Sequence, residues 1–195
     1  GENRIENKKT DLLYEGCQLC MVEIDGIEDL QRACITPVAD GMVVQTVTPR
    51  TDEFRRDRIM FLLAKHPHAC LTCAQKEGCA RFPCSTNVPE NERCCPQFGK
   101  CEFQKIAEYV KVKPETSRYY FENLPFIKDD PLFERNYNLC IGCTRCIRAC
   151  KEVRGIGAVD FVFDEDGRVI LGTVSPNLRE SACRFCTACV EVCPT

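Results

Sequence analysis

Two cysteine runs constrain this chain more than any other feature. The first, LCIGCTRCIRAC, places Cys140, Cys143, Cys146 and Cys150 in the order C-x2-C-x2-C-x3-C, and SACRFCTACVEVCPT repeats the order with Cys183, Cys186, Cys189 and Cys193. In such a run the first three thiolates wrap three iron corners of one [4Fe–4S] cube, while the fourth reaches across to the other cube. The pattern therefore expects Cys140, Cys143 and Cys146 with Cys193, and Cys183, Cys186 and Cys189 with Cys150. Because the run occurs twice, the crossed ligation closes on itself with no cysteine left over.

Eighteen cysteines among 195 residues, with no tryptophan and two histidines, admit two blander explanations, a disulfide scaffold or structural zinc. C-x2-C spacings in Pro- and Gly-flanked loops suit cluster ligation better than disulfides, and no apolar signal-peptide core is seen near Gly1. Spacing alone does not separate zinc from iron. A net charge of −3 argues against a nucleic-acid surface. No apolar run approaches the roughly 20 residues of a membrane span. Many thiols kept reduced for metal point to an anoxic or cytosolic, hence cytoplasmic, compartment. The chain has no starting Met and stops directly after Cys193-Pro194, so we expect a piece of a longer polypeptide.

The expected fold class is α+β, in three lobes and a strap. Residues 1–48 form a partial β-grasp lobe. Residues 49–113 form a histidine-plus-cysteine lobe with a Cys-rich insertion, 114–138 a linker strap, and 139–195 a ferredoxin-like lobe for two [4Fe–4S] clusters. In the first, Met21–Ile24, Gln31–Ile35 and Met42–Thr48 read as strands with turns at Asp25-Gly26 and Asp40-Gly41. Cys17, Cys20 and Cys34 sit on the connecting loops, an arrangement suited to a [2Fe–2S] rhomb. GCQLCMVEI and ACITPVADGMVV resemble the amino-terminal domain shared by the large iron–sulfur subunit of respiratory complex I, NAD-linked formate dehydrogenases and [FeFe]-hydrogenases. That family places a fourth cysteine about ten residues earlier, where this chain has Ile5 and Glu6. Either the cluster is lost, or Glu6 or Asp11 completes it, or the register differs.

In the second lobe Thr51–Lys65 reads as a helix with Thr51 as N-cap, Pro67 as its end, and Phe54, Ile59, Leu62 and Leu63 as an apolar face. Arg55, Arg56 and Arg58 read as a solvated face. His66-x3-Cys70-x2-Cys73 resembles the opening of the same family's [4Fe–4S] site with one histidine and three cysteines, with His68 as the competing ligand. Glu102–Lys111 should be a helix, with Phe103, Ile106, Ala107 and Val110 on one side. A negatively charged cluster at its start would gain from the helix dipole. Eight groups make two sites: His66, Cys70, Cys73 and Cys101 for a [4Fe–4S] cluster, and Cys79, Cys84, Cys94 and Cys95 for a second cluster or zinc. Exchange of Cys79 and Cys101 is the alternative.

Residues 114–138 are rich in aromatics and proline and read as an irregular strap. PLFERNYNLC resembles the entry to the family's two-cluster domain. Between the cysteine runs, Ala158–Phe163 and Arg168–Leu171 flank Asp164-Glu165-Asp166-Gly167, a hairpin signal. Lys151 stands where such domains usually have proline.

With three to four [4Fe–4S] clusters and one [2Fe–2S] site in family order, the resemblance implies an electron-transfer module. It would pass single electrons between a flavin-bearing NAD(P)H-oxidising subunit and a second redox subunit or ferredoxin, in a hydrogenase, formate dehydrogenase or electron-bifurcating complex. No G-x-G-x-x-G dinucleotide fingerprint and no substrate-converting site is seen. The rival reading is a zinc-stabilised interaction module with no redox role.

Overall fold

The computed structural model describes residues 14, 16–66, 101–112, 122–128, 130–164, 167 and 169–195. The chain divides into two units, one of Gly1–Cys17 with Pro125–Pro194, the other of Gln18–Leu124 with Thr195.

In the second unit, β1 (Met21–Ile24) pairs antiparallel with β2 (Ile27–Arg32) and with β3 (Val44–Gln45), giving the order β2-β1-β3. Strand β2 begins directly after Asp25-Gly26, earlier than Gln31, because the two-residue turn closes a tight hairpin that pairs Ile24 with Ile27. It stops at Arg32, whose carbonyl accepts from the amides of Ile35 and Thr36 and so turns the chain. Val22 and Ile24 alternate inward, both 5 % exposed.

Helix α1 (Pro49–Leu63) packs on β1. Its N-cap is Thr48, not Thr51. Pro49 fits the first helical position, where its missing N–H costs nothing. Thr51 then falls at N3 and completes a reciprocal box: its amide donates to Thr48 Oγ1 at 3.1 Å, and the Thr48 amide donates to Thr51 Oγ1 at 2.8 Å. Ile59 and Leu63 are fully buried. The arginine face is not merely solvated. Arg55 donates to the carbonyls of Leu19 (3.3 Å) and Met21 (2.7 Å), and Arg56 to that of Val110 (3.1 Å), while Arg58 lies 4.7 Å from the Phe61 ring centroid. Two arginines thus staple α1 to neighbouring backbone carbonyls and supply them with donors. Helix α2 (Glu102–Tyr109) buries Phe103 and Ala107, as its spacing predicts, and ends two residues earlier than Lys111.

In the first unit the strap region carries a short ladder, β4 (Phe126–Ile127) with β5 (Arg135–Asn136), followed by a 3₁₀ turn at Tyr137–Leu139. Within it Asp130 accepts from Arg135 Nε at 2.8 Å and from the buried Leu178 amide at 3.3 Å, which ties this segment to the loop before the second cysteine run. Strands β6 (Val159–Phe163) and β7 (Val169–Thr173) form the expected hairpin in full register, and the Gly167 amide donates to Asp164 O at 3.0 Å. Its apolar centre is Ile147, Phe161 and Leu171, with Tyr14, Cys146, Val159 and Val169 packed around them. Gly172 is required here, because a Cβ would stand 2.5 Å from Val162 Cγ2.

Candidate metal centre

Each cysteine run folds as a loop followed by one turn of helix: α3 (Arg145–Arg148) after Cys143, and α4 (Ala188–Glu191) after Cys186. The two loops repeat one conformation. Gly142 (φ +72°) and Phe185 (φ +50°) precede the second cysteine of each run, Thr144 (φ +62°) and Thr187 (φ +59°) follow it, and all four are left-handed. Alternating left- and right-handed residues turn successive amides toward one side, which makes a concavity for negative charge.

Those amides reach the sulfurs. Cys140, Cys143 and Cys146 accept from the backbone of Gly142, Arg145 and Ile147. The Phe185 amide donates to Cys183 Sγ at 3.3 Å, and the Ala158 amide to Cys150 Sγ at 3.3 Å. Cys150 lies in a π-turn (Ala149–Val153), where the Arg154 amide bonds Ala149 O five residues back. The wide turn keeps Cys150 buried while its helix ends.

The thiols gather in two sets. Burial pushes Cys146 up to about 12, and Cys140, Cys143 and Cys193 add to the rise. Cys143 is pushed up to about 11 by burial, with Cys17, Cys140 and Cys193 behind it. Cys140 keeps open surface, yet enough protein surrounds it for desolvation to raise its pKa, with Cys193 and Cys17 contributing. In the other set, burial raises Cys189, followed by Cys150, Cys183 and Cys186. Cys186 is instead lowered, by the Ala188 amide first and then by a hydrogen bond from, and the charge of, Arg154. Each set thus holds three cysteines of one run and the last cysteine of the other, and Cys17 joins the first set from outside both runs.

The donor chemistry fits iron–sulfur clusters. Four run thiols converge in each set, with Cys17 a fifth beside the first, the twelve cysteines among the described residues are all outside disulfides, and amides are aimed at sulfur. Soft thiolates with N–H···S bonds are what such clusters take. Among the described residues no group of three stands at the spacing of a single metal ion.

The remaining candidates are placed less completely. In the second unit Cys20 and Cys34 lie at the ends of the β1–β2 hairpin, where the Ala33 amide donates to Cys20 O at 3.1 Å. Cys17 falls in the first unit, beside Cys140 and Cys143, and its amide donates to Gly142 O at 3.2 Å. His66 is 4 % exposed and meets Phe103 edge-on at 5.2 Å, and Cys101 is the N-cap of the same helix, so both lie at the first turn of α2. Glu6, Asp11, His68, Cys70, Cys73, Cys79, Cys84, Cys94 and Cys95 lie outside the described residues. Sequence reasoning missed Tyr14 and Arg154, which reach the thiol sets through tertiary contacts that no motif spacing encodes.

Comparison with known proteins agrees with this chemistry. Residues 12–49 match a 2Fe-2S iron-sulfur cluster binding domain, and residues 139–195 match a 4Fe-4S dicluster domain. The chain is 35 % identical over 184 residues to an NADH-quinone oxidoreductase subunit of Rhizobium meliloti, covering 91 % of this chain and 18 % of that protein. It is 31 % identical over 181 residues to an NADP-reducing hydrogenase subunit, HndD, of Solidesulfovibrio fructosivorans, covering 92 % and 27 %. The chain therefore spans only about a sixth to a quarter of the length of the relatives it matches. Its fold is shared with an NAD+-reducing [NiFe]-hydrogenase structure at a TM-score of 0.63, with 20 % identity, over 95 % of this chain and 69 % of that one.

Proposed function

We propose that this chain, which is similar to iron–sulfur subunits of NADH-quinone oxidoreductase, NADP-reducing hydrogenase and formate dehydrogenase, carries single electrons along bound clusters within a larger oxidoreductase. The observation that carries this reading is the crossed gathering of thiols, Cys193 with Cys140, Cys143 and Cys146, and Cys150 with Cys183, Cys186 and Cys189. Two [4Fe–4S] clusters held this way sit close together, and a close pair of one-electron carriers is a relay.

The chain's residues would hold, insulate and tune the clusters. His66, Cys70, Cys73 and Cys101 are the set for a third [4Fe–4S] cluster, its charge complemented by the N-terminus of α2. Cys79, Cys84, Cys94 and Cys95 would hold a fourth cluster or a zinc ion, and Cys17, Cys20 and Cys34 contribute to the [2Fe–2S] domain. The electron donor would be a flavin-bearing subunit that oxidises NAD(P)H, and the acceptor a second redox subunit or ferredoxin. Among the described residues no helix is long and apolar enough to cross a membrane.

Iron, zinc and sulfide per chain on anaerobically purified protein, with EPR after dithionite reduction, test this. About sixteen to eighteen irons fit four cubes with or without the rhomb, and about twelve irons with roughly one zinc fit three cubes and a structural quartet. A colourless, zinc-only protein would sink the relay.

A further inference from the structure

Far ahead of the first cysteine run in sequence, residues Tyr14, Gly16 and Cys17 are laid against the loop between Cys140 and Cys143. The Cys17 amide donates to Gly142 O at 3.2 Å, and a Cβ on Gly16 would stand 3.4 Å from that same oxygen. Tyr14 fills the space above Gly142, where a Cβ would meet Tyr14 Oη at 2.5 Å. The Tyr14 ring is also anchored by packing. It lies 5.1 Å from the Phe161 ring, tilted 55°, and packs on the Ile147–Phe161–Leu171 centre together with Cys146. Anchored ring, glycine-sized gap and hydroxyl all meet at the loop that carries the first two thiols of one set.

We propose that Tyr14 is a positioning residue for the cluster held by Cys140, Cys143, Cys146 and Cys193: its ring walls off one side of the site, and its hydroxyl dipole raises that cluster's reduction potential. One-electron reduction adds one negative charge to the cluster and makes or breaks no bond at Tyr14. A neutral phenol beside that charge presents the positive end of its O–H, which favours the reduced form, as hydrogen bonds at cluster sulfurs do. A phenol with its ordinary pKa of about 10 is protonated at neutral pH, so the O–H is present through such a cycle. The proposal rests on the reading that this set holds a cluster, which iron and sulfide analysis of the unaltered chain tests separately.

The test is Tyr14→Phe, which keeps the ring and removes only the hydroxyl, in the full chain with its clusters in place. The signal of the affected cluster is identified as the one lost in Cys146→Ala. We expect unchanged iron content, a downward shift of the midpoint potential at that signal alone, and loss of an exchangeable deuteron coupling seen by pulsed EPR after D2O exchange. Tyr14→Leu, which removes the hydroxyl and reshapes the wall, should lower the potential too and also make iron loss on air exposure faster. An unchanged potential and coupling in Tyr14→Phe would overturn the proposal. So would iron loss in that variant, which would make the residue merely structural.

Discussion

Lys151 Nζ stands 2.8 Å from both carboxylate oxygens of Asp160, a side chain with no exposed surface, and so links the residue after Cys150 to the centre of the β6–β7 hairpin. Asp160 Oδ1 also accepts from the Phe161 amide at 2.9 Å. This is why lysine can stand where such domains usually carry proline: its cation neutralises a carboxylate that could not otherwise be buried. Removing one partner of a buried pair costs about 3–5 kcal/mol, and Lys151 is 38 % exposed, so screening reduces that figure. Lys151→Met should therefore destabilise the cluster-loaded chain by about 2 kcal/mol in denaturant unfolding. Lys151→Met with Asp160→Leu should recover most of the loss, and a double variant no better than the single one would refute the pairing argument.

Crossed ligation is tested by removing one thiol from each side of the exchange. Cys146→Ala should abolish chiefly one cube's EPR signal, and Cys150→Ala the other's, although both residues belong to the same run. Loss of the same signal in both variants would contradict the two sets described above.

Gly142 is held by two requirements, a left-handed backbone (φ +72°) and the Tyr14 hydroxyl above it. Gly142→Ala should cost about 1–2 kcal/mol from the backbone alone, and more from the clash. Adding Tyr14→Phe should recover the clash part, giving a coupling of about 0.5–3 kcal/mol in a double-mutant cycle. Strict additivity would mean that the two residues do not share that space.

Arg154 donates to Cys186 and, after the Ala188 amide, is what lowers that thiol's pKa. Both interactions stabilise negative charge on sulfur. Arg154→Ala should therefore lower the potential of the cluster whose signal Cys186→Ala removes, and Arg154→Lys should fall between, keeping the charge but losing the fork. A rise in potential would reverse the sign of this argument.

The Thr48–Thr51 box makes Thr48→Ala cost about 1 kcal/mol of stability, while Thr48→Ser stays near neutral. An equal loss from both, measured by thermal unfolding, would indicate that packing of the Thr48 methyl matters more than the cap.

The metal chemistry is legible in the sequence because cluster ligands recur at fixed spacings. Three cysteines in C-x2-C-x2-C must wrap one loop, whatever surrounds it, and the fourth residue of each run falls within reach of the neighbouring set. Hairpin β6–β7 and helix α2 are legible for the same reason: alternation, turn residues and i, i+3, i+4 spacing act within a few residues. The cap of α1 lies three residues before the expected one because two threonines both suit a cap, and only Pro49 at the first helical position decides between them.

Other features belong to the tertiary structure alone. Arg55 and Arg56 look solvated until β1 and Val110 bring carbonyls to them. Lys151 looks like a departure from pattern until Asp160 is folded beneath it. Cys17 and Tyr14 look like parts of the amino-terminal lobe until Gly142, more than a hundred residues later, receives them. Spacing along the chain determines which groups can share a cluster. Which dipoles and cations surround those groups is decided by folding, because such groups act through distance in space: Tyr14 reaches Gly142, and Arg154 reaches Cys186, only in the folded chain.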